Sequence, residues 1–523
     1  MKKHIGKRIV AFALLGAMAF SLTACGKDKQ GGTPDVSQAD LDKITELNVI
    51  ITSHASWPYN ENWPIWKWIQ EGSGVKLNIQ AIPGTDFGTK LPLILASPET
   101  LPDLIHMVNV QLVNQNTSSG AFVSITDNLD KMPNYTAFMN TLPETERKEL
   151  EAQRTSGDGK MYFPPVYGTQ TVMNLRTWMY RKDIFQKHNL ETPKTEDELY
   201  AVTKELKKLY PSSYPLAFRT GLEQINVMGP MWKNNFAWAL YYDFKEEKWC
   251  WGAQDSETMP HIIEFFSKMI DEGLVPPDFL SITTKSWEEL VSTDRGFIMP
   301  EYLARVDFFN KIGRTSNPDY TWSVMEPPKG STATGQAKIA KLNLDPTGYV
   351  VCNTGKTDRI NKSLWFVDWM YTDEATDLLS WGKEGESYTV DANGTRSFIL
   401  DASKEEAATT KYGIGTYGVY QRTTSFEETY SSEQREEGKR AYTYTEDNVN
   451  PTLWLPLNDE EMKVYDELYT ALVTYTEEML SKFILKQEPM SNWDAFQKGM
   501  TDMGVDRLLE VYTSAYNRVT GKN

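Results

Sequence analysis

Residues 47 to 81 constrain the fold more than any other stretch of the chain. Leu47 to Thr52 is a β-rich run, Asn62 to Gln70 reads as a short helix with Pro64 in its first turn, and Val75, Leu77, Ile79 and Ala81 alternate with polar residues. Alternation of period two marks a strand with one buried face, and strand, helix and strand in so little chain form a βαβ unit. The crossover makes at least part of the sheet parallel. A second helix is predicted over Asp86 to Ala96, ahead of the apolar strand Leu104 to Val108. Farther on, Thr195 to Glu198 is a capping box before Leu199, Val202, Leu206 and Leu209. Asn458 with Glu461 opens another helix, whose Leu468, Leu472, Tyr475 and Met479 fall on one face. Strands and helices interleave with no repeat at a period of roughly 20 to 50 residues, so the fold class is α/β.

The chain has 523 residues, and at about 100 to 200 residues per domain it holds more than one folding unit. Its start is set apart. Met1 to Arg8 is basic, Ile9 to Phe20 is apolar, and Ser21-Leu22-Thr23-Ala24-Cys25 follows. The apolar run is too short to span a bilayer, so residues 1–24 read as a signal peptide. The small residues before Cys25 resemble a bacterial lipobox, in which the cysteine becomes the mature N-terminus and receives diacylglycerol. Residues 25–43 then serve as a flexible tether. The formal net charge of −17 makes the chain a poor binder of nucleic acid. Cys250 and Cys352 are too few for a disulfide framework and sit in apolar surroundings that favour core packing. The 16 Trp and 26 Tyr exceed what a core ordinarily demands, so some are expected to line a binding surface.

The catalytic motifs fail on context. Gly413-Ile414-Gly415-Thr416-Tyr417-Gly418 matches the dinucleotide fingerprint, yet the polar Lys404 to Lys411 precedes it where a hydrophobic strand is required. Gly355-Lys356-Thr357 ends like a phosphate-binding loop, but Val350 stands where its first glycine belongs. HExxH, GxSxG and paired CxxC are all missing from the sequence. Acid pairs such as Glu288 and Glu289 read as solvated helix faces, although a glycosidase pair can be distant in sequence. No cofactor is expected.

Several blocks, in order along the chain, resemble the family 1 extracellular solute-binding proteins of bacterial ABC importers. The likeness is to the lipoprotein branch that includes the alginate oligosaccharide-binding proteins. The blocks are Leu93 to Ser97 with Leu101-Pro102-Asp103-Leu104-Ile105; Tyr180-Arg181-Lys182-Asp183 with His188-Asn189-Leu190, Pro193 and Thr195; Trp381-Gly382-Lys383-Glu384-Gly385-Glu386-Ser387-Tyr388; and Lys482-Phe483-Ile484 with Trp493-Asp494, Met503 to Arg507 and Ala515 to Arg518. The resemblance implies a two-lobed, periplasmic-binding-protein-like fold whose lobes close on a ligand at a hinge. By analogy the first lobe takes residues 44–170 and 330–402 and the second 171–329 and 403–523. It further implies a monomeric receptor, anchored by lipid at Cys25 on the outer face of the cytoplasmic membrane, that passes a carbohydrate to an ABC permease. A surface-anchored glycan hydrolase or lyase, a ligand-sensing lipoprotein and a peptide receptor remain alternatives. Some relatives carry a calcium loop after the helix that corresponds to Glu196–Leu209. Here Tyr210 to Leu216 has no carboxylate, so no metal is expected.

In open α/β sheets ligands sit beyond the carboxyl ends of the strands. Trp57 and Tyr59, after the first strand, are therefore the leading site residues, with Trp63 from the next helix and Asn109 and Gln111 after the third strand. Arg176 and Trp178 stand near the first crossing between lobes, where a guanidinium binds hydroxyls or a carboxylate, or else makes a structural ion pair. Trp238, Tyr241, Glu301, Tyr302, Trp381 and Glu384 complete the set, with core packing or plain surface as the competing reading of each.

Overall fold

The computed structural model describes residues 41–520 apart from 54–57, 108–112, 114–115, 143, 145–146, 148–149, 152–153, 165–174, 341–347, 402–406, 416, 418–422, 429, 447–454 and 456. Trp57, Asn109, Gln111 and Cys25 lie outside the described residues. The expected βαβ unit is present as β1 (Glu46–Ser53), α1 (Pro64–Ser73) and β2 (Lys76–Pro83), with the strands parallel from Glu46↔Lys76 to Ser53↔Pro83. Helix α2 (Gly84–Leu95) leads to β3 (Leu104–Met107), parallel to β1. A late strand, β4 (Gly348–Val351), adds antiparallel to β3 and completes a four-stranded sheet. Asp103 fixes the start of β3: its carboxylate accepts from Asn48 N of β1 at 2.7 Å and is gripped by Arg359, on the helix Thr357–Trp369 that follows β4.

A second sheet is built on β5 (Arg176–Arg181), flanked antiparallel by β6 (Ile298–Tyr302) and β7 (Trp322–Val324). Beside β6, Leu216 makes a parallel bridge to Ile298, so the short run before Arg219 extends this sheet. Arg181, fully buried, ties the far end of β5 to Asp183 and to Asp294 at 2.6 Å, with its guanidinium 3.7 Å over the Tyr320 ring. That contact explains the Tyr180 to Asp183 block as architecture. Breaking one partner of such a buried pair typically costs about 3 to 5 kcal/mol.

The long helix Asp459–Ile484 starts with a complete capping box, Asn458 Oδ1 accepting from Glu461 N at 3.0 Å and Glu461 Oε2 from Asn458 N at 2.8 Å. The expected box at Thr195 is only half formed. Thr195 Oγ1 accepts from Glu198 N at 3.2 Å, but the Glu198 carboxylate takes its proton donor from Lys194 N at 2.7 Å, one residue earlier.

The buried side chains divide into cores around the two sheets. Their membership runs past the boundaries expected from sequence: Ala408, Tyr412, Ile414 and Tyr417 belong with the first sheet, beyond residue 402, and Ile339 belongs with the second. Gly157 touches the backbone at Leu457 and Asn458, a place where a Cβ would overlap the Leu457 carbonyl oxygen and come within 2.7 Å of Asn458 Cα. A segment near the first sheet thus meets the start of a helix of the second core with no room for a side chain. Cys250 and Cys352 are free thiols in separate cores. Among the described residues no helix is long and apolar enough to cross a membrane.

Candidate functional site

The carboxyl end of β1 leads into an aromatic shelf. Tyr59 is held by its backbone N–H, which donates to Ser53 Oγ at 2.9 Å, and its ring lies 5.7 Å from Trp66 and 6.5 Å from Trp63. Trp66 lies in turn 5.4 Å from Tyr417, contributed by a distant part of the chain. The base of the shelf is fixed by hydrogen bonds: Trp63 Nε1 donates to Thr410 O at 2.9 Å, Trp66 Nε1 to Asn60 O at 2.9 Å, and Tyr417 Oη to Thr52 O at 3.3 Å. Buried beneath are His106 and Tyr349, whose rings are 4.9 Å apart. Burial pushes the His106 imidazole down to about 4, which keeps it neutral. Tyr59 and Trp66 are half-buried and present ring surface, whereas Trp63 is 4% exposed and supports them from the core side. Rings so arranged offer the apolar faces that sugar C–H groups pack against.

At the second sheet the equivalent edge lies where β6 ends, where the run before Arg219 ends, and where antiparallel β5 begins. Arg176 stands opposite Tyr302 in the register, with its guanidinium 4.5 Å from that ring and 3.8 Å from Glu223. Its Nε is buried without a hydrogen-bond partner among the described residues. Tyr302 is 41% exposed, an unusual state for a large aromatic ring. Beside it Arg219 grips Glu301 through two bonds of 2.5 and 2.9 Å, and Tyr302 N donates to the same carboxylate. Arg219 and Arg305 both pack on the buried Trp287, and Arg305 also bonds Glu288 at 2.8 Å. Burial raises the Glu223 carboxyl above its ordinary value, an effect that neighbouring Glu477 adds to and Arg176 opposes. The arrangement supplies fixed N–H donors next to one open aromatic face.

The remaining sequence candidates fall elsewhere. Trp178, Trp238, Tyr241 and Trp381 are core side chains, each at most 5% exposed, and offer a ligand no surface. Most of the surplus aromatics fill cores in the same way. Twelve of the 16 tryptophans are buried, and two of the other four lie outside the described residues. Glu301 is committed to Arg219, and Glu384 is exposed in a turn. That turn packs on α1: Gly382, at φ +80°, leaves no space for a Cβ against Trp68, whose Nε1 donates to Glu386. Arg219, Glu223 and Tyr417 carry no sequence signal for the site, and among Trp63, Trp66 and Trp68, where helical spacing leaves the choice open and the sequence reading favours Trp63, the accessible ring is that of Trp66.

After the helix Glu196–Leu209, Lys207 Nζ donates to Ser213 O at 2.6 Å and lies 4.8 Å over the Tyr214 ring, so a lysine ammonium reaches into the turn. Among the described residues no group of His, Cys, Asp and Glu is placed to hold a metal ion.

Residues 67–382 match the family model described as bacterial extracellular solute-binding protein. The chain belongs to that family. It is similar to "Lipoprotein LipO" of Bacillus subtilis, 21% identical over 402 residues and 74% of each chain. It is also similar to the "Fructooligosaccharide ABC transporter substrate-binding protein FusA" of Streptococcus pneumoniae, 29% identical over 218 residues and 38% of each chain. In structure it resembles the alginate-binding protein AlgQ2 at 21% identity, TM-score 0.74, covering 90% of this chain and 98% of that one. FusA in complex with kestose aligns with a TM-score of 0.70 at 18% identity, covering 91% of this chain and all of that one. The fold is therefore the two-lobed periplasmic-binding-protein-like α/β fold. Tyr59 and Trp66 stand at the strand ends of one lobe, and Arg176 and Tyr302 at those of the other.

Proposed function

We propose that the protein is a lipid-anchored receptor that captures an oligosaccharide between its lobes and delivers it to an ABC permease. The observation that carries this reading is the pairing of accessible rings with oriented donors at the strand ends of both lobes: Tyr59 and Trp66 on one side, Tyr302 with Arg176 on the other. Sugars demand this combination, since their C–H faces stack on rings while their hydroxyls need directed polar partners. Two relatives support the same class by what their names state, a fructooligosaccharide and alginate. Anchoring at Cys25 places the receptor on the outer face of the cytoplasmic membrane, where it acts as a monomer and performs no chemistry on its ligand. The chain passes from one core to the other between Phe163 and Leu175, between Ile339 and Tyr349 and between Tyr417 and Tyr430, and these passages are the proposed hinge crossings, with Trp57, Asn109 and Gln111 the proposed companions of Tyr59. Incubation with oligosaccharides, followed by calorimetry and chromatography of the sugars, tests the reading. Saturable binding with unchanged sugars is expected, and shortened products would make the protein a hydrolase or lyase instead.

A further inference from the structure

The charges at the second lobe's strand ends are matched one against one. Arg219 is held in a two-bond grip by Glu301, itself 3% exposed. Arg305 is bonded to Glu288 at 2.8 Å, and Arg176 is faced by Glu223 at 3.8 Å. A further carboxylate, Glu477, lies close enough to Glu223 to raise its proton affinity. Three guanidinium groups thus face four carboxylates. On the first lobe the described edge is aromatic, with Tyr59, Trp66 and Tyr417 over a His106 that burial keeps neutral, and the charge beside it is negative: Glu61 adds to the rise that burial gives the Tyr59 phenol. Of the sequence segments that adjoin these edges, 54–57, 108–112 and 165–174 contain no Lys or Arg, and 418–422, after Tyr417, contains Arg422.

An anionic ligand entering such a cleft gives up its hydration and receives no net positive charge from these side chains in return. Like-charge juxtaposition at an interface costs several kcal/mol, and an arginine already gripped by a carboxylate has its charge neutralised at the outset. A neutral ligand has no such difficulty. Its hydroxyls accept from guanidinium N–H groups and donate to the carboxylates, so each ion pair serves as an oriented donor and acceptor. From this balance we infer that the ligand is an uncharged oligosaccharide, and that Glu223 excludes uronate-containing glycans by cancelling the charge of Arg176. The inference rests on the carbohydrate reading above and narrows it.

The test is calorimetric titration of the lipid-free protein with two panels of matched length. One is neutral, of fructo-, malto-, manno- and xylo-oligosaccharides; the other is of oligogalacturonates and alginate-type oligouronates. Neutral sugars alone should bind, with a Kd that stays within about twofold between low and high salt, since no net charge is being screened. Glu223→Gln should gain uronate affinity of about tenfold or more, in a salt-sensitive manner, because Arg176 is then unopposed. Uronate binding by the parent protein overturns the inference and leaves the carbohydrate reading standing. No gain in Glu223→Gln removes the role given to Glu223. Binding from neither panel defeats the carbohydrate reading and the inference with it.

Discussion

Glu446 offers a direct test of the electrostatics of the second core. It is 2% exposed, where the residues before one undescribed segment, 341–347, bridge to those before another, 447–454. One carboxylate oxygen accepts from Asn235 N at 3.2 Å and from Gln336 Nε2, while the other is buried with no hydrogen bond from the described residues. Burial is the main cause that pushes it up to about 7; Asp243 adds to the shift, and Lys338 with the two hydrogen bonds opposes it. In an unfolded chain a glutamate titrates near 4.3, and each unit of difference is about 1.4 kcal/mol. The folded state holds the proton more tightly, so this stability is fully present below about pH 4 and is lost as pH rises through about 7. The loss amounts to on the order of 3 kcal/mol. Glu446→Gln keeps the accepting oxygen and removes the titration. In urea melts followed by tryptophan fluorescence, the variant should match the parent near pH 4 and exceed it near pH 8 by on the order of 3 kcal/mol. The same pH dependence in both proteins, or a variant weaker at pH 8, would refute the argument.

Gly157→Ala places a methyl group against the Leu457 backbone, which cannot swing aside as a side chain can; the melting temperature should fall by several degrees, and an unchanged value would mean the contact is loose. Chelator should leave the melting temperature unchanged, because Lys207 already supplies a cation to the Ser213 carbonyl; a fall that added calcium reverses would reveal a metal site. Cys25→Ser should leave a folded protein in the buffer phase of a detergent partition, and retention in the membrane fraction would remove the anchor.

The first sheet was legible because its pattern is local. Strict alternation from Val75 to Ala81 reports one buried face without reference to the rest of the chain, and Pro64 and the Asn458–Glu461 box mark helix starts through their own backbone chemistry. The site was legible in part: Tyr59 follows a strand that can be seen, and Arg176 stands just ahead of the block that begins at Tyr180. Arg219 closes a run that begins at Pro215 and pairs with β6 by a single bridge, so it carries no strand signature. Tyr417 reaches the shelf from more than three hundred residues away, which no local pattern encodes. Aromatic richness by itself did not point to particular rings. Trp178, Trp238, Tyr241 and Trp381 fill cores, and composition does not distinguish a ring that packs from a ring that binds.

The central claim is that ligand is held by contacts from both lobes, and small-angle scattering tests it most directly. A ligand that touches Tyr59 and Trp66 on one lobe and Arg176 and Tyr302 on the other favours the closed state through contacts absent from the open one. The radius of gyration of the lipid-free protein should fall on saturation with the tightest neutral oligosaccharide found by calorimetry. That fall should disappear in Tyr302→Ala. Tight binding with an unchanged radius of gyration would place the sugar on a single lobe and contradict the account.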